Sequence, residues 1–291
     1  MNKNNYRGRF APSPTGDLHF GSLVAALISY IQAKTHDGIW LLRIEDIDET
    51  RTVAGADQAI IKTLANFGMH ADEPVMYQTN PERQAAYQAA LDHLTQSGLT
   101  YPCVCTRTKL AGSETYPGFC RDQIIDHSQP HSIRLATGNE DYEFDDFWQG
   151  HQLQNIAKQS GDFNIKRKDG LFCYMLAVVI DDASQGVTEV VRGIDIMDST
   201  ARQMHLIKLL NLPQPSYAHF PIITHNQLKL SKQNHAKAIS HEDPYTLTHL
   251  ALSLMGQEPP LLQQKTQSNL LNWAIENWQP EKLNNLAKIN Y

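Results

Sequence analysis

Two short segments, far apart in the chain, carry residue types suited to chemistry on a nucleoside triphosphate. The first is RFAPSPTGDLHFGSL at residues 9–23, in which His19 and Gly21 directly precede an apolar run. A histidine can donate a hydrogen bond to a phosphate oxygen, and glycine lets a phosphate or a flat base approach the backbone. An isolated His-x-Gly pair, however, more often only caps a helix and packs closely.

The second segment is LKLSKQN at residues 228–234, where a leucine and a serine separate Lys229 from Lys232. Two ammonium groups at this spacing can lie beside a polyphosphate. Two lysines in a polar loop are otherwise usually a solvated surface. Because both segments occur in one chain, we favour a nucleotide site over a mere helix cap at the first segment and a solvated surface at the second.

Cysteines form a third group of chemically capable residues. Cys103 and Cys105 are separated by one residue, and Cys120 follows fifteen residues later. This spacing is not the common Cys-x-x-Cys, and the chain has no second pair, so spacing alone is a weak indication of a metal site. His127 and His131 are candidates for a fourth ligand, and three reduced thiols without a metal remain the alternative.

The elements around the first segment predict an α/β unit. Residues 6–11 suit a strand, and the prolines and glycine at residues 12–17 require a shaped loop. The apolar residues from Leu23 to Ile31 recur on one face of a helix that we expect to end near Gly38. The run IWLLRI then predicts a buried parallel strand. This strand–loop–helix–strand order is typical of a nucleotide-binding sheet, with the loop at a helix N-terminus that favours phosphate.

Patterns in the second half are weaker but still informative. DGLFCYMLAVVIDD and TEVVRGIDIMDSTARQMHLIKLL, at residues 169–182 and 188–210, predict two strands and a following helix, with Cys173 as a buried thiol in the first strand. Residues 243–257 and 266–279 each predict one amphipathic helix, in which Trp273 and Trp278 pack and do not stack on bases. The basic clusters at 107–109 and 166–168 are candidate RNA-backbone contacts or solvated faces.

Composition bounds the class of protein. The chain has 291 residues, of which 41% are hydrophobic and 19% charged, and its formal net charge is -6. Its apolar runs are too short to span a bilayer, and its N-terminus shows no signal-peptide core, so we expect a cytoplasmic protein with no membrane partner. Four cysteines do not indicate a disulfide scaffold. Any RNA contact must come from local basic patches, because the overall charge is acidic.

The two segments together resemble the HIGH and KMSKS signatures of class I aminoacyl-tRNA synthetases. The prefix RFAPSPTG-x-LH-x-G is similar to that of the glutamate/glutamine branch, and the resemblance covers about residues 6–240. It implies a Rossmann-type α/β catalytic core in which His19 and Lys232 are catalytic. It also implies ATP with Mg²⁺ as substrate, bound by His19, Gly21, Ser22, Lys229 and Lys232.

The resemblance further implies a glutamate pocket and a zinc site. The glutamate-binding positions are Arg9, Phe10, Ala11, Pro12, Ser13, Glu45, Tyr174 and Arg192. Guanidinium groups suit an anionic side chain, although Glu45 and Arg192 could equally be members of structural ion pairs. The implied ligands of one structural Zn²⁺ are Cys103, Cys105, Tyr116 and Cys120.

We expect four segments: residues 1–100 and 169–240 as the two halves of the catalytic domain, 101–168 as a zinc-bearing insertion, and 241–291 as a short helical segment. About fifty residues after the lysines leave no room for the anticodon-binding region typical of the family. The resemblance therefore implies a truncated member, monomeric, that activates glutamate without tRNA. Such a member transfers glutamate to queuosine in the anticodon stem-loop of tRNA(Asp).

Three alternatives stay open from the sequence. One is a compact glutamyl-tRNA synthetase that charges a tRNA 3′ end. Another is a ligase that forms glutamyl-adenylate for an acceptor other than RNA. The third is an inactive RNA-binding paralogue, which the intact HFGS and KLSK segments disfavour.

Overall fold

A computed structural model describes residues 5–113, 115–126, 128–225, 228–229, 238–261 and 266–291 of the protein, and only the backbone at 225, 228 and 229. The helices are α1 Phe20–Thr35, α2 Ala56–Asn66, α3 Pro81–Gln96, α4 Ile156–Gln159, α5 Tyr174–Ser184, α6 Thr200–Leu209, α7 Pro244–Leu254 and α8 Gln267–Glu276. The strands are β1 Arg7–Phe10, β2 Ile39–Ile44, β3 Met76–Tyr77, β4 Thr100–Cys103, β5 Ser132–Leu135, β6 Asp141–Asp146, β7 Gly150–Asn155, β8 Phe163–Lys166, β9 Glu189–Gly193, β10 Ser216–Phe220, β11 Ile222–His225, β12 Leu228–Lys229 and β13 Lys288–Asn290.

The predicted strand–loop–helix–strand unit is confirmed by β1, α1 and β2. β1 lies parallel to β2, with Arg9 opposite Leu41, and β2 lies parallel to β3. His19 is the N-cap of α1, and the helix ends where Gly38 N donates to Ala33 O at 2.9 Å. Because the loop between β1 and α1 follows the carboxyl end of a parallel strand, it lies where α/β sheets bind ligands.

A second sheet has the strand order β7-β6-β10-β9, in which β10 runs parallel to both β6 and β9. A backbone hydrogen bond from Thr188 N to Arg7 O, 2.9 Å long, connects the start of β9 to β1. The two sheets therefore lie edge to edge, which brings the ends of β1 and β9 together. β6 and β7 come from the segment predicted as an insertion, and the four segment boundaries stay predictions.

The first strand predicted for the second half is wrong, because residues 174–184 form helix α5. Leu176, Ala177, Val178 and Val179 are all buried, so the helix is apolar on several sides. A short, continuously apolar run rich in β-branched residues does not show which period it follows, and here the chain forms a helix. The second prediction, a strand followed by a helix, is confirmed by β9 and α6.

The two predicted C-terminal helices are confirmed as α7 and α8, which pack with α1 around one apolar core. Trp273 and Trp278 pack against this core, as expected, and Trp278 Nε1 donates to Gln32 Oε1 at 3.0 Å. In the described part of the chain, every helix is too short or too polar to cross a membrane.

Gly38 provides a test of how tightly β1 and β2 are joined. A Cβ at this position would lie 2.6 Å from Tyr6 O and 2.8 Å from Tyr6 Cβ, so Gly38→Ala must displace one strand. We expect a loss of about 1–3 kcal/mol in the free energy of unfolding, measured by chemical denaturation.

Gly138→Ala is the matched control, because a Cβ there would meet only Glu140 Cγ at 3.9 Å. Its free energy of unfolding should stay within about 0.5 kcal/mol of the parent. Equal stability of the two variants would contradict the close approach of β1 and β2.

Candidate active site

The loop after β1 is fixed to the end of β2. Glu45 N donates to Pro12 O at 3.0 Å, and Val53 N donates to Pro14 O at 2.9 Å. These bonds place Ser13 and Glu45, which are separated by more than thirty residues, on the rim of one cavity. The loop therefore has a defined shape, as its prolines predicted.

This cavity, of about 510 Å³, gathers most of the predicted glutamate-binding residues. Arg9, Phe10, Ala11, Ser13, Glu45, Tyr174 and Arg192 all line it. Pro12 lines a second cavity of about 360 Å³, and Phe10 and Ser13 line both. Cavities of about 300–1,000 Å³ hold ligands larger than a single amino acid, so the first has room for glutamate and part of another molecule.

The second cavity lies at the N-terminus of α1 and contains the predicted His19, Gly21 and Ser22. The His19 imidazole accepts from Ser22 N at 3.3 Å and lies 3.1 Å from Ser22 Oγ. Backbone N–H groups and the helix dipole favour an anion here. The arrangement can therefore hold a phosphate chain against the first turn of α1.

The chain that follows the lysine segment lies beside the same helix. Lys232 lies outside the described residues, and only the backbone of Lys229 is described, in β12. Just after the segment, Ala238 forms an antiparallel bridge with His19, and Ile239 N donates to Leu18 O at 3.1 Å. The chain therefore lies beside the N-terminus of α1 at Ala238, six residues after Lys232.

Buried charges lie beneath the larger cavity. Asp182 Oδ1 lies 3.2 Å from Arg9 Nε and 2.8 Å from Arg43 Nη1, and Arg43 Nη2 lies 3.4 Å from Glu45 Oε1. Burial raises the pKa of Glu45 to about 7, although Arg43 and Arg9 act in the opposite direction. The Glu45 carboxylate is thus well placed to gain from a cationic ligand group.

The sequence interpretation missed Arg43, Asp182 and Gln78, which line the cavity or hold its residues. Arg43 in the apolar run LLRI, and Asp181-Asp182 at the end of AVVI, are charges within buried elements. Charged side chains are almost never fully buried without partners, so these positions carried a usable signal. Their pairing with each other crosses more than 130 positions of sequence and could not be predicted.

Arg192, at the carboxyl end of β9, has a different environment. Its Nε donates to His219 Nε2 at 2.9 Å, its Nη1 to Gln203 Oε1 at 2.6 Å, and its Nη2 to Thr200 Oγ1 at 2.8 Å. The side chain is buried, and in the described part of the chain it forms no ion pair. The alternative that Arg192 is a member of a structural ion pair has no support in these contacts.

The predicted metal ligands converge at one point. Sγ of Cys103, Cys105 and Cys120 lie within 4.8 Å of one another. The Tyr116 hydroxyl is 3.4 Å from Cys103 Sγ and 3.7 Å from Cys105 Sγ, and it accepts from Cys120 N at 3.1 Å. Three thiols and a phenol oxygen at this spacing fit a tetrahedral Zn²⁺.

Within this cluster, the surroundings of Cys103 favour its thiolate. Arg134 Nε donates to Cys103 Sγ at 3.3 Å, and its guanidinium lies 3.6 Å from the centre of the Tyr116 ring. Burial opposes ionisation of Cys103, but hydrogen bonds from Tyr116 and Arg134 outweigh it and lower its pKa to about 7. His131 instead lies 2.8 Å from Gln129 O through its Nδ1, and His127 lies outside the described residues.

Two smaller predictions need correction or detail. Cys173 is not in a strand: it is the N-cap of α5, half-buried on the wall of the larger cavity.

Arg167 of the second basic cluster pairs with Asp48 at 2.7 Å and with Asp169 at 2.5 Å, so much of its charge is balanced within the protein. Arg107 and Lys109 of the first cluster are exposed.

Comparisons with known proteins show the family and the fold of the chain. A family model described as "tRNA synthetases class I (E and Q), catalytic domain" matches residues 5–116 and 120–264. A relative from Burkholderia cenocepacia strain J2315, named glutamyl-Q tRNA(Asp) synthetase, is 49% identical over 274 residues, which cover 87% of this chain and 91% of the relative. One of the same name from Pseudomonas aeruginosa is 44% identical, with 98% and 97% covered.

A solved glutamate-tRNA synthetase from Elizabethkingia anophelis has the same fold, with a TM-score of 0.81 at 23% identity, covering 99% of this chain and 68% of that protein. The resemblance inferred from the two signature segments is thus confirmed by sequence and by fold. The chain belongs to the class I tRNA synthetases of the glutamate and glutamine branch.

Proposed function

We propose that the protein activates glutamate with ATP in the absence of tRNA, and transfers it to queuosine at the wobble position of tRNA(Asp). The observation that carries the proposal is one cavity, lined by Arg9, Glu45 and Arg192, that adjoins an anion site at a helix N-terminus. The names of relatives that are 44–49% identical over most of the chain support this acceptor. We place the protein in the cytoplasm as a monomer.

Each end of glutamate has a chemically matched partner in the larger cavity. The side-chain carboxylate pairs with Arg192, whose buried guanidinium lacks an ion-pair partner among the described residues. The ammonium group lies against Glu45, and Tyr174 lies beside it on the wall. The α-carboxylate then faces Ser13 and Phe10, where the two cavities meet.

Activation takes place at this junction. An α-carboxylate oxygen attacks the α-phosphorus of ATP, the bond to the bridging oxygen breaks, and pyrophosphate leaves. His19 and the N-terminus of α1 stabilise charge on the phosphates. We assign Lys229 and Lys232 to the departing pyrophosphate, because Ala238, six residues after Lys232, forms a bridge with His19. Mg²⁺ accompanies ATP, with ligands that are mostly phosphate oxygens and water.

Transfer uses the unfilled part of the larger cavity. A hydroxyl of the queuosine cis-diol attacks the carbonyl carbon of glutamyl-adenylate, the carbon–oxygen bond to phosphate breaks, and AMP leaves as an ester forms. The hydroxyl proton passes to solvent or to the departing AMP. Asp48, Arg51 and Arg167 line the same cavity, and we assign them as polar contacts for the acceptor.

The cysteine cluster holds one structural Zn²⁺ in the proposed assignment, with Cys103, Cys105, Cys120 and Tyr116 as ligands. The metal supplies cross-links within residues 101–168 and takes no part in the reaction. Arg134 holds Tyr116 and Cys103 in place through the contacts described above.

Acceptor identity is the direct test of the proposed function. Labelled glutamate should transfer to an isolated tRNA(Asp) anticodon stem-loop that carries queuosine, because the cis-diol imitates a terminal ribose. The same stem-loop with guanosine at the wobble position is the matched control and should remain unlabelled. Label on the 3′-terminal adenosine of tRNA(Glu) would instead establish a compact synthetase of ordinary specificity.

Glu45 predicts a pH dependence. Its pKa of about 7 means that the carboxylate is lost as the pH falls through that value, and with it the attraction for the substrate ammonium. We expect kcat/KM for glutamate, measured by ATP–pyrophosphate exchange, to fall below about pH 7.

Glu45→Gln should lower kcat/KM for glutamate and remove this dependence, since its amide does not titrate. An unchanged acid limb in Glu45→Gln would assign the titration to another group.

Zinc content tests the metal assignment. The purified protein should carry about one zinc per chain by elemental analysis, and Cys105→Ser should lose most of it and be less stable to heat. Cys173→Ser is the control, because Cys173 lies in the cavity wall at the start of α5 and not in the cluster. Equal zinc in both variants, or none in the parent, would contradict the assignment.

A further inference from the structure

Arg192 is held by hydrogen bonds to uncharged side chains, so its positive charge is not neutralised by them. A guanidinium has five N–H donors, and three of them have partners: His219, Gln203 and Thr200. All three partners are buried and carry no negative charge. Within the described residues, one N–H remains on each of Nη1 and Nη2. Two such donors match the two oxygens of a carboxylate.

His219 can accept from Arg192 only in one tautomer. Because Arg192 Nε always carries hydrogen, Nε2 of His219 must be bare, and the ring proton must be on Nδ1. Nδ1 lies 2.5 Å from Asp146 Oδ2, so it donates to that carboxylate. Burial lowers the pKa of His219, with Arg192 acting in the same direction and Asp146 against it, which keeps the ring neutral.

Asp146 is itself fixed by the backbone. Its Oδ1 accepts from Trp148 N at 3.1 Å and from Gln149 N at 3.0 Å, and His219 N lies 3.1 Å from both of its oxygens. The carboxylate is buried, and these hydrogen bonds hold it ionised and oriented. Its position therefore determines which nitrogen of His219 carries the proton.

Sheet topology makes the arrangement possible. Asp146, His219 and Arg192 lie on the adjacent strands β6, β10 and β9, and His219 is the register partner of Arg192. The Tyr217 ring is stacked with His219 at 6.2 Å between centroids. The contacts from Asp146 through His219 to Arg192 cross the sheet and end at the larger cavity.

We propose that His219, oriented by Asp146, is a positioning residue that holds Arg192 for the substrate's side-chain carboxylate and thereby selects glutamate over glutamine. The inference rests on the proposed function and extends it to specificity. Arg9, by contrast, forms an ion pair with the Asp182 carboxylate at 3.2 Å. A neutral imidazole orients Arg192 without neutralising it, so the substrate supplies the missing anion.

The tautomer can be read on the parent protein by ¹⁵N NMR of labelled histidines. His219 should show a protonated Nδ1 and a bare Nε2 at neutral pH, and its signals are assigned by their absence in His219→Gln. A protonated Nε2 would overturn the proposal. Because this measurement needs no activity, it tests the positioning role even where glutamate activation is not found.

Two variants separate positioning from folding. The amide introduced by His219→Gln can accept from Arg192 and donate to Asp146, so the KM of this variant for glutamate should stay within about three-fold of the parent. His219→Leu removes the acceptor and should raise the KM for glutamate about ten- to hundred-fold, with kcat and the KM for ATP little changed. Its preference for glutamate over glutamine, as a ratio of kcat/KM values, should fall by a similar factor.

The opposing results are equally specific. A parental KM for glutamate in His219→Leu would overturn the proposal, and so would an equal loss for glutamate, glutamine and ATP, which indicates a general structural defect. Absence of glutamate-dependent exchange in the parent would instead contradict the proposed function. Should His219→Leu not fold, the tautomer and the near-parental KM of His219→Gln decide the question.

Discussion

The carboxylate of Asp182 connects the elements that carry the site, because it contacts two buried arginines at once. Arg9 comes from β1, Arg43 from β2 and Asp182 from α5. Displacing any one of the three elements leaves a buried charge without its partner, which costs several kcal/mol. The buried apolar side chains of α5 belong to a different core cluster from those of β1 and α1, so this charge network connects α5 to the strand–helix–strand unit across two clusters.

Glu45 is placed by the same arrangement but is not satisfied by it. It shares Arg43 with Asp182 and Asp181, and desolvation exceeds the attraction that remains, which is why its pKa is raised. In the proposed complex, a substrate ammonium adds the charge that this corner of the cavity lacks. The cavity then offers a carboxylate that gains a cation and an arginine that gains an anion, one for each end of the amino acid.

Local patterns predicted much of this architecture, and long-range contacts account for what they missed. The loop between two prolines and a glycine, the cap at His19 and the strand before Glu45 follow from local backbone chemistry and periodicity. The sequence at residues 174–184, which forms a helix, fits a buried strand equally well, because a short apolar run shows no clear period. Asp146 and His219 are 73 residues apart, and nothing near either residue indicates that they meet.

The junction of the two cavities sets the order of events in the proposed reaction. Phe10, Ser13 and Gly193 line both, so the bond between glutamate and AMP lies where the cavities meet. The nucleotide then fills the cavity at α1, and the chain after the lysine segment returns beside His19 on that same side. In this proposed arrangement an acceptor approaches the activated carbonyl through the larger cavity, past Asp48 and Arg167, which line it. A single exposed nucleoside meets this geometric requirement, because the carbonyl lies between the mouth of the cavity and the bound nucleotide.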